Sequence, residues 1–133
     1  MKNSSEVNRE KALRELLEEM RKGDVEIHSD KEAQAYLDFA AKQRGLSVKS
    51  VHAVAIGDDI LARKEYAENV RILREEWIHI QQQRRGLASN RIVEAEIEAR
   101  EMMIRNRRKW AITNEEVREM IREIRLMRER GRY

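Results

Sequence analysis

Cysteine and proline are both absent from the 133 residues, and aromatic residues make up only 5%. Without cysteine, the chain has no disulfide scaffold, no zinc finger and no thiol nucleophile. The absence of proline favours helices, because a proline removes a backbone donor and breaks a helix interior. With so few aromatic side chains, we expect a thin core that is mostly aliphatic.

Long apolar segments are also missing. No apolar run approaches the ~20 residues that a membrane-spanning helix needs. The first six residues, MKNSSE, contain no apolar stretch of the kind found in a secretory signal. We therefore expect a cytoplasmic location and no membrane partner, for a chain that is either free or delivered into a target cell as part of a larger protein.

Charged residues, in contrast, make up 40% of the chain, with 28 Lys and Arg against 25 Asp and Glu. The net charge of +3 is small, and mixed signs of this kind are typical of paired helix surfaces. The last third is more basic, because residues 100–133 contain eleven Lys and Arg but six Glu. A basic surface of this kind would attract nucleic acid or an acidic protein.

The pattern of apolar residues predicts an α+β fold that is mainly α-helical, with about five helices and a short β-hairpin. The length is that of a single domain, 1–133. We expect residues 1–22 to form a peripheral N-terminal helix and residues 46–133 to form the core that carries the functional motif. Apolar spacing and turn signals predict helices at 5–22, 29–45, 65–85 and 90–110, a last helix from a capping box at 113–116, and a hairpin at 51–63 beside the 65–85 helix.

The segment REEWIHIQQQ, residues 74–83, carries the densest set of reactive side chains. It differs from the His-Glu-x-x-His motif of zinc peptidases by having Glu75 in place of the first histidine. On a helix, Glu75 and His79 are one turn apart, and Glu76 and His79 are three residues apart. Both carboxylates can therefore converge with the imidazole on one point.

A second anomaly lies in the following helix, where Glu96 falls within an apolar face. A carboxylate in a buried position has to be paired, metal-bound or protonated, because burying an unpaired charge costs on the order of several kcal/mol. If the two helices pack antiparallel, Glu96 would face Glu76 and His79. Arg63 or Arg71 would be its neutralising partner if no metal is present.

These residues supply the parts of a metal-dependent hydrolase. Glu75, His79 and Glu96 would be the metal ligands, and Glu76 and His79 the catalytic residues, with Glu76 as the base that takes a proton from water. Two carboxylates and one histidine form a hard, anionic set of ligands, so the divalent ion would be zinc, manganese or iron. A di-iron site of the Glu-x-x-His type would need a second such pair, which the sequence lacks.

Three segments, at 59–63, 73–82 and 94–99, together resemble the zincin-like toxin domains of bacterial polymorphic toxins and phage-head-associated effectors. The likeness covers roughly residues 50–130 and depends mainly on Glu-Glu-x-x-His and Glu-x-Glu-Ala. It implies a peptidase-like hydrolase with a site at Glu75, Glu76, His79 and either Glu96 or Glu98. It also implies a protein or nucleic-acid substrate and a cognate immunity or inhibitor protein as partner.

Three other interpretations fit the same residues. His79 could act without a metal as a general base, as in a nuclease that uses basic residues of the last helix. The chain could instead be a non-enzymatic helical module that binds nucleic acid or an acidic partner through its basic C-terminal third. Finally, the Glu and His side chains could simply form a solvated helix face.

Overall fold

The computed structural model describes residues 2–132, which form a mainly helical α+β fold with five α-helices and a small three-stranded sheet. The predicted fold class is therefore confirmed. None of the helices in this range is long and apolar enough to cross a membrane. In chain order the elements are α1 Ser4–Lys22, β1 Glu26–His28, α2 Lys31–Gln43, β2 Ala53–Ile56, β3 Asp59–Ala62, α3 Val70–Arg84, α4 Ile92–Arg105 and α5 Asn114–Arg130.

Helix α1 begins and ends close to the predicted bounds. The Asn3 side chain accepts a hydrogen bond from the Glu6 amide at the first turn, and Gly23 follows the last turn. The helix does not lie at the periphery, because three of its side chains are buried in the main core together with α3. They are Ala12, Leu16 and Met20.

The predicted hairpin at 51–63 is present as β2 and β3. Gly57, the first residue of its two-residue turn, has a φ of 58°, which glycine adopts without strain. The sequence did not reveal that β1 joins this hairpin: β1 pairs with β3 in parallel, so the strand order is β1-β3-β2. A strand of three residues has too short a pattern to predict its pairing partner.

Helix α2 covers this sheet through Leu37 and Ala41, which pack with Val51 in a smaller cluster. It begins at Lys31, two residues after the predicted start at residue 29, because the side chain of Asp30 rather than that of Ser29 accepts a hydrogen bond from the Ala33 amide. Both residue types cap helices well, and only the backbone geometry decides between two adjacent candidates.

Helix α3 lies at the centre of the molecule and is buried on most sides. It begins at Val70, five residues later than predicted, because residues 64–66 form a single 3₁₀ turn and Asn69 provides the N-cap. Its apolar face packs on α1 and the sheet, while Ile78 on another side packs against α4 and α5. An element buried this widely places its polar side chains where they also need partners.

Helices α4 and α5 complete the fold. α4 is shorter than predicted: it begins after Arg91, without a side-chain cap, and ends at Arg105. Residues 106–111 form turns, so the predicted continuation of the helix to residue 110 is wrong, and the last of them, Ala111, has a left-handed φ of 54°. The predicted capping box at Thr113 and Glu116 is confirmed as the start of α5.

We predict that Gly23→Ala destabilises the fold. Gly23 has an ordinary φ of −88°, but an added Cβ would lie 2.6 Å from Cη2 of the buried Trp77. Forcing this contact should lower the free energy of unfolding by about 1–3 kcal/mol, as overpacking typically does. Denaturant unfolding followed by tryptophan fluorescence measures the change. Lys22→Ala, at the exposed neighbouring position, is the control, and equal stability of the two variants would contradict the prediction.

Candidate metal centre

A cleft of about 660 Å³ lies between α3, α4, the first half of α5 and strand β2. The packing that forms it follows from the sequence, because α3 and α4 are joined by a short link and each carries apolar residues on the side facing the other. All four residues predicted for the site line this cleft: Glu75, Glu76, His79 and Glu96.

The three predicted metal ligands come together in the cleft. Glu75 and His79 are one turn apart on α3, and Glu96 reaches across from α4. One ligand atom from each side chain lies within 4.8 Å of the other two, and His79 Nε2 is 3.2 Å from Glu96 Oε1. Ligand atoms at about 2 Å from one zinc ion lie about 3–4 Å apart, so small side-chain movements would bring all three onto one ion.

The imidazole of His79 has a hydrogen-bonding partner on each side. Its Nδ1 lies 2.8 Å from Gln82 Oε1, and its Nε2 faces Glu96. Burial opposes the charged form, but the hydrogen bond and charge of Glu96 outweigh it and raise the pKa of His79 to about 9. At neutral pH and without a metal ion, His79 is therefore an imidazolium paired with a carboxylate.

Glu96 has a second partner in Arg100, one turn further along α4. Arg100 Nη1 donates to Glu96 Oε2 at 2.6 Å. Burial works against the charge of Glu96, but His79 and Arg100 together hold the pKa of this carboxyl below its usual range. Glu96 is thus an ionised carboxylate in a largely buried position, and it keeps that charge because two cations contact it.

The prediction that Arg63 or Arg71 neutralises Glu96 is wrong. Arg63 is buried elsewhere, where it pairs with Asp38 and donates to backbone carbonyls at 48 and 51. Arg71 lies 3.7 Å from Glu75 on the same helix. The i,i+4 spacing of Glu96 and Arg100 was available in the sequence and would have identified the correct partner.

Arg100 contacts carboxylates from three helices. Its guanidinium lies 3.5 Å from Glu75 and 3.2 Å from Glu123 of α5, in addition to Glu96. Burial disfavours its positive charge, but Glu75 and the other two carboxylates outweigh burial and raise the pKa of Arg100 above its usual range. Neither Arg100 nor Glu123 was predicted from the sequence. Glu123 could not be singled out, because α5 has several glutamates at helical spacing and only the packing selects one.

One carboxylate oxygen of Glu75 is buried without a hydrogen-bond donor in the described part of the chain. Its Oε1 is buried and accepts no hydrogen bond from residues 2–132, although Arg100 lies close enough for a charge interaction. Buried carboxylate oxygens are usually satisfied by donors or by a cation. The unsatisfied atom belongs to the residue that stands where zinc peptidases have their first histidine.

Glu76 is buried on the same side of α3 and is 8% exposed. Burial, with a smaller effect from the neighbouring charge of Glu75, raises the pKa of Glu76 to about 8. The carboxyl is therefore neutral at pH 7 and can exchange a proton in the neutral range, which suits an acid–base group. Glu98, the alternative ligand, lies apart from this site and pairs with Gln82 and Arg85.

The other two histidines lie outside the three-ligand group. His52 lines the same cleft and its ring is 4.4 Å from that of Tyr66. His28 lies on the sheet, 2.8 Å from Asp59, and with Glu26 forms an exposed cluster of potential ligands. An exposed cluster of this kind is held by its own hydrogen bonds and needs no ion.

Of the basic residues of the C-terminal third that the structure describes, only Arg100 lines the cleft, where it is paired with carboxylates. The residues that α5 contributes to its lining are Glu116, Glu119 and Glu123. The basic residues 105–109 instead form a separate shallow depression at the turn after α4. A substrate in the cleft therefore meets carboxylates from α5, which argues against a phosphate-rich substrate there.

No protein-family model matches the chain, and no curated protein or solved structure matches it either. The resemblance to zincin-like toxin domains therefore stays a prediction. What the fold adds is the geometry of the cleft, which does not depend on that resemblance.

We predict that, without metal, Glu76→Gln becomes increasingly more stable than the wild type as the pH rises from 4.5 to 8. The folded pKa of about 8 exceeds the ordinary value of 4.5, so the folded state holds one extra proton between these limits. The stability linked to this proton is present below 4.5 and is lost as the pH rises through 8. The wild type should lose up to about 1.4 kcal/mol per pH unit relative to the variant.

Denaturant unfolding at several pH values, with a chelator present, measures this difference. Glu68→Gln is the control, because Glu68 is an exposed glutamate next to the start of the same helix. Parallel stability curves for wild type and Glu76→Gln would show that Glu76 does not hold the extra proton.

Proposed function

We propose that this protein is a metal-dependent hydrolase with a peptidase-like site. Glu75, His79 and Glu96 would hold one divalent ion, and Glu76 would act as the proton acceptor. The single observation that carries the proposal is the convergence of the three ligand atoms within 4.8 Å in a cleft open to a substrate. These residues come from two helices, so their meeting is a property of the packing and not of one helix face.

The chemistry of the site supports an ion. Without one, the charges balance only if His79 is protonated and Glu76 is neutral. The three carboxylates Glu75, Glu96 and Glu123 then face Arg71, Arg100 and the imidazolium. A divalent ion that replaced the proton on His79 would add one positive charge. That excess would favour ionised Glu76, which is the form that a general base requires.

A bound divalent ion would polarise a substrate carbonyl and make a bound water acidic. The residues of the chain would then divide the remaining work. Glu76 would hold the proton taken from water, while Arg100 would pair with the carboxylates of Glu75 and Glu96 and hold them in place. Zinc, manganese and iron all remain candidates, because two carboxylates and one imidazole do not select among them strongly.

Strand β2 supports a peptide as the substrate. It is one of the two edge strands of the sheet among residues 2–132, and Ala53, Val54 and Ala55 line the cleft. The backbone amide of Arg63 donates to the His52 carbonyl, so His52 and Arg63 form a hydrogen-bonded pair of the antiparallel ladder. Because such pairs alternate along the strand, the backbone N–H and C=O groups of Ala53 and Ala55 point away from β3. An extended peptide could hydrogen-bond to that edge beside the site.

On the sequence resemblance alone, the proposal extends to a bacterial toxin or effector role with an inhibitor protein as partner. That extension has a separate test, which is growth arrest when the chain is expressed inside bacterial cells and its loss in a Glu76→Gln variant. A hydrolase without toxicity would keep the proposed chemistry and remove the toxin role.

The proposal predicts that the wild type, purified without a chelator or a metal-loaded resin, contains close to one divalent ion per chain. His79→Ala should lose it, whereas His28→Ala should keep it because His28 lies in the exposed cluster on the sheet. Glu76→Gln should keep the ion but lose about 10²–10⁴-fold in peptide hydrolysis, the usual contribution of a general base. Elemental analysis and cleavage of an unstructured protein measure the two effects.

Absence of metal from the wild type, even after incubation with zinc, manganese or iron, would contradict the proposal. Equal metal content in wild type and His79→Ala would place the ion elsewhere. In either case, His79 and Glu96 would be left as a buried ion pair without a hydrolytic role.

A second candidate function, binding of nucleic acid, is favoured by one observation. In the part of the chain that the structure describes, Arg105, Arg108 and Lys109 form no salt bridge, although most arginines of α3 and α4 do. Unpaired cations in one turn are available to phosphates.

For this candidate we predict weak binding to single-stranded or duplex nucleic acid that falls steeply as salt rises. Replacing Arg108 and Lys109 by glutamine should reduce the slope of log affinity against log salt by about 1–2, one for each lost phosphate contact. Fluorescence anisotropy at several salt concentrations measures this slope. An unchanged slope would exclude this turn as the docking surface, and His79→Ala, which lies in the separate cleft, is the control.

A further inference from the structure

Gln82 is a buried amide next to the candidate metal centre, with only 2% of its surface exposed. It lies on α3, one turn after His79, and its side chain reaches three groups. Its Nε2 donates to the carbonyl of Ala95 at 3.0 Å and to the carboxylate of Glu98 at 2.9 Å. Its Oε1 lies 2.8 Å from His79 Nδ1.

These contacts determine which way round the amide lies. Ala95 and Glu98 present only oxygen acceptors, so both hydrogens of the Gln82 Nε2 group are used there. The opposite orientation would place Oε1 against two acceptors and leave a donor facing the ring. The oxygen of Gln82 therefore faces His79, and this assignment rests on the hydrogen-bonding capacity of its neighbours.

The orientation of Gln82 in turn fixes the imidazole of His79. Because Oε1 can only accept, His79 Nδ1 must carry the hydrogen in this contact. The lone pair of a neutral ring is then on Nε2, which faces Glu96 Oε1 at 3.2 Å. Two acceptors at that distance repel each other unless a cation lies between them, and either a proton or a metal ion meets this requirement.

Gln82 also connects the two helices that supply the ligands. Ala95 and Glu98 stand on either side of Glu96 in α4, so the two hydrogen bonds from Gln82 flank the third ligand. One side chain thereby sets both the ring of His79 and the position of α4 relative to α3. Metal-binding histidines commonly need such a partner on the nitrogen that does not bind the ion.

We infer that Gln82 is a positioning residue for the candidate metal centre, which holds His79 with Nε2 as its ligand nitrogen and aligns Glu96 with it. The inference rests on the proposed function, because it assigns Gln82 a role in that same site. Nothing in the motif at residues 74–83 distinguished Gln82 from Gln81 and Gln83, which are both exposed. Only the position of α4 makes the middle glutamine different.

The test compares Gln82→Met with Gln83→Met. Both replace a glutamine by an uncharged side chain of similar length, but Gln83 is exposed and, in the part of the chain that the structure describes, forms no hydrogen bond with His79. Competition with a chromophoric chelator measures the affinity for zinc. Gln82→Met should bind zinc about 10–100-fold more weakly than the wild type, the usual loss when such a partner is removed, whereas Gln83→Met should match the wild type.

A double variant tests whether the hydrogen-bonding pattern, and not the packing, is responsible. Gln82→Glu with Glu98→Gln keeps an acceptor facing His79 Nδ1 and a donor between the two side chains, at unchanged net charge, and gives up only the donor to the Ala95 carbonyl. It should recover most of the zinc affinity that Gln82→Met loses. If both Gln82 variants lose affinity equally, the effect is a packing effect and the inference is overturned.

A spectroscopic readout separates this inference from the proposed function. Nitrogen-15 spectra of the histidine rings, assigned with His79→Ala, report which ring nitrogen carries the hydrogen. In the wild type, the hydrogen should be on Nδ1 in two samples: the zinc-loaded protein, and the metal-free protein at a pH well above the His79 pKa of about 9. In Gln82→Met this preference should be lost.

The outcomes are distinct. A wild type that binds none of zinc, manganese and iron sinks the proposed function and with it the ligand role, while the metal-free spectra still decide whether Gln82 fixes the ring. Zinc binding that is unchanged in Gln82→Met, with the hydrogen still on Nδ1, overturns the inference and leaves the metal centre intact.

Discussion

The buried guanidinium of Arg100 is the interaction on which the rest of the structure depends. It is 3% exposed on its side chain and contacts carboxylates from α3, α4 and α5. Those contacts place a positive charge beside Glu75, Glu96 and Glu123, in a cleft where unpaired buried charges would destabilise the packing of the helices. Because one cation contacts carboxylates of three helices, the same contacts determine how α4 and α5 pack on α3 and where the side chains of the candidate site lie.

Local signals in the sequence predicted the elements well where one residue type had no competitor. Thr113 with Glu116 is a complete capping box and fixed the start of α5, and Gly57 fixed the hairpin turn. The predicted helix starts were wrong where two adjacent residues were equally good N-caps, as with Ser29 and Asp30, or where a short 3₁₀ turn preceded the helix, as before α3. The parallel pairing of β1 with β3 depends on contacts across about thirty residues, which three residues of local pattern cannot specify.

The candidate ligands could be predicted because helical spacing relates Glu75 to His79 and because Glu96 stood out on an apolar face. Their partners could not, with one exception. Arg100 was visible at i,i+4 from Glu96, but Glu123 and Gln82 each have near-identical neighbours in sequence: the other glutamates of α5 and the other glutamines of α3. Which member of such a set turns inward depends on the rotation of one helix against another, and this is set by side-chain packing across the whole interface.

The cleft holds its protons in a way that serves chemistry better than stability. A neutral Glu76 and a protonated His79 sit within one helical turn of each other, each with a pKa far from its ordinary value. A site selected only for stability would replace such a pair by apolar side chains of similar volume, which is often neutral or stabilising. Under the proposed function, a divalent cation would displace the proton on His79 and favour the ionised form of Glu76, which a general base requires. The buried amide of Gln82 contacts His79 Nδ1 at 2.8 Å and would keep the ring fixed during that exchange.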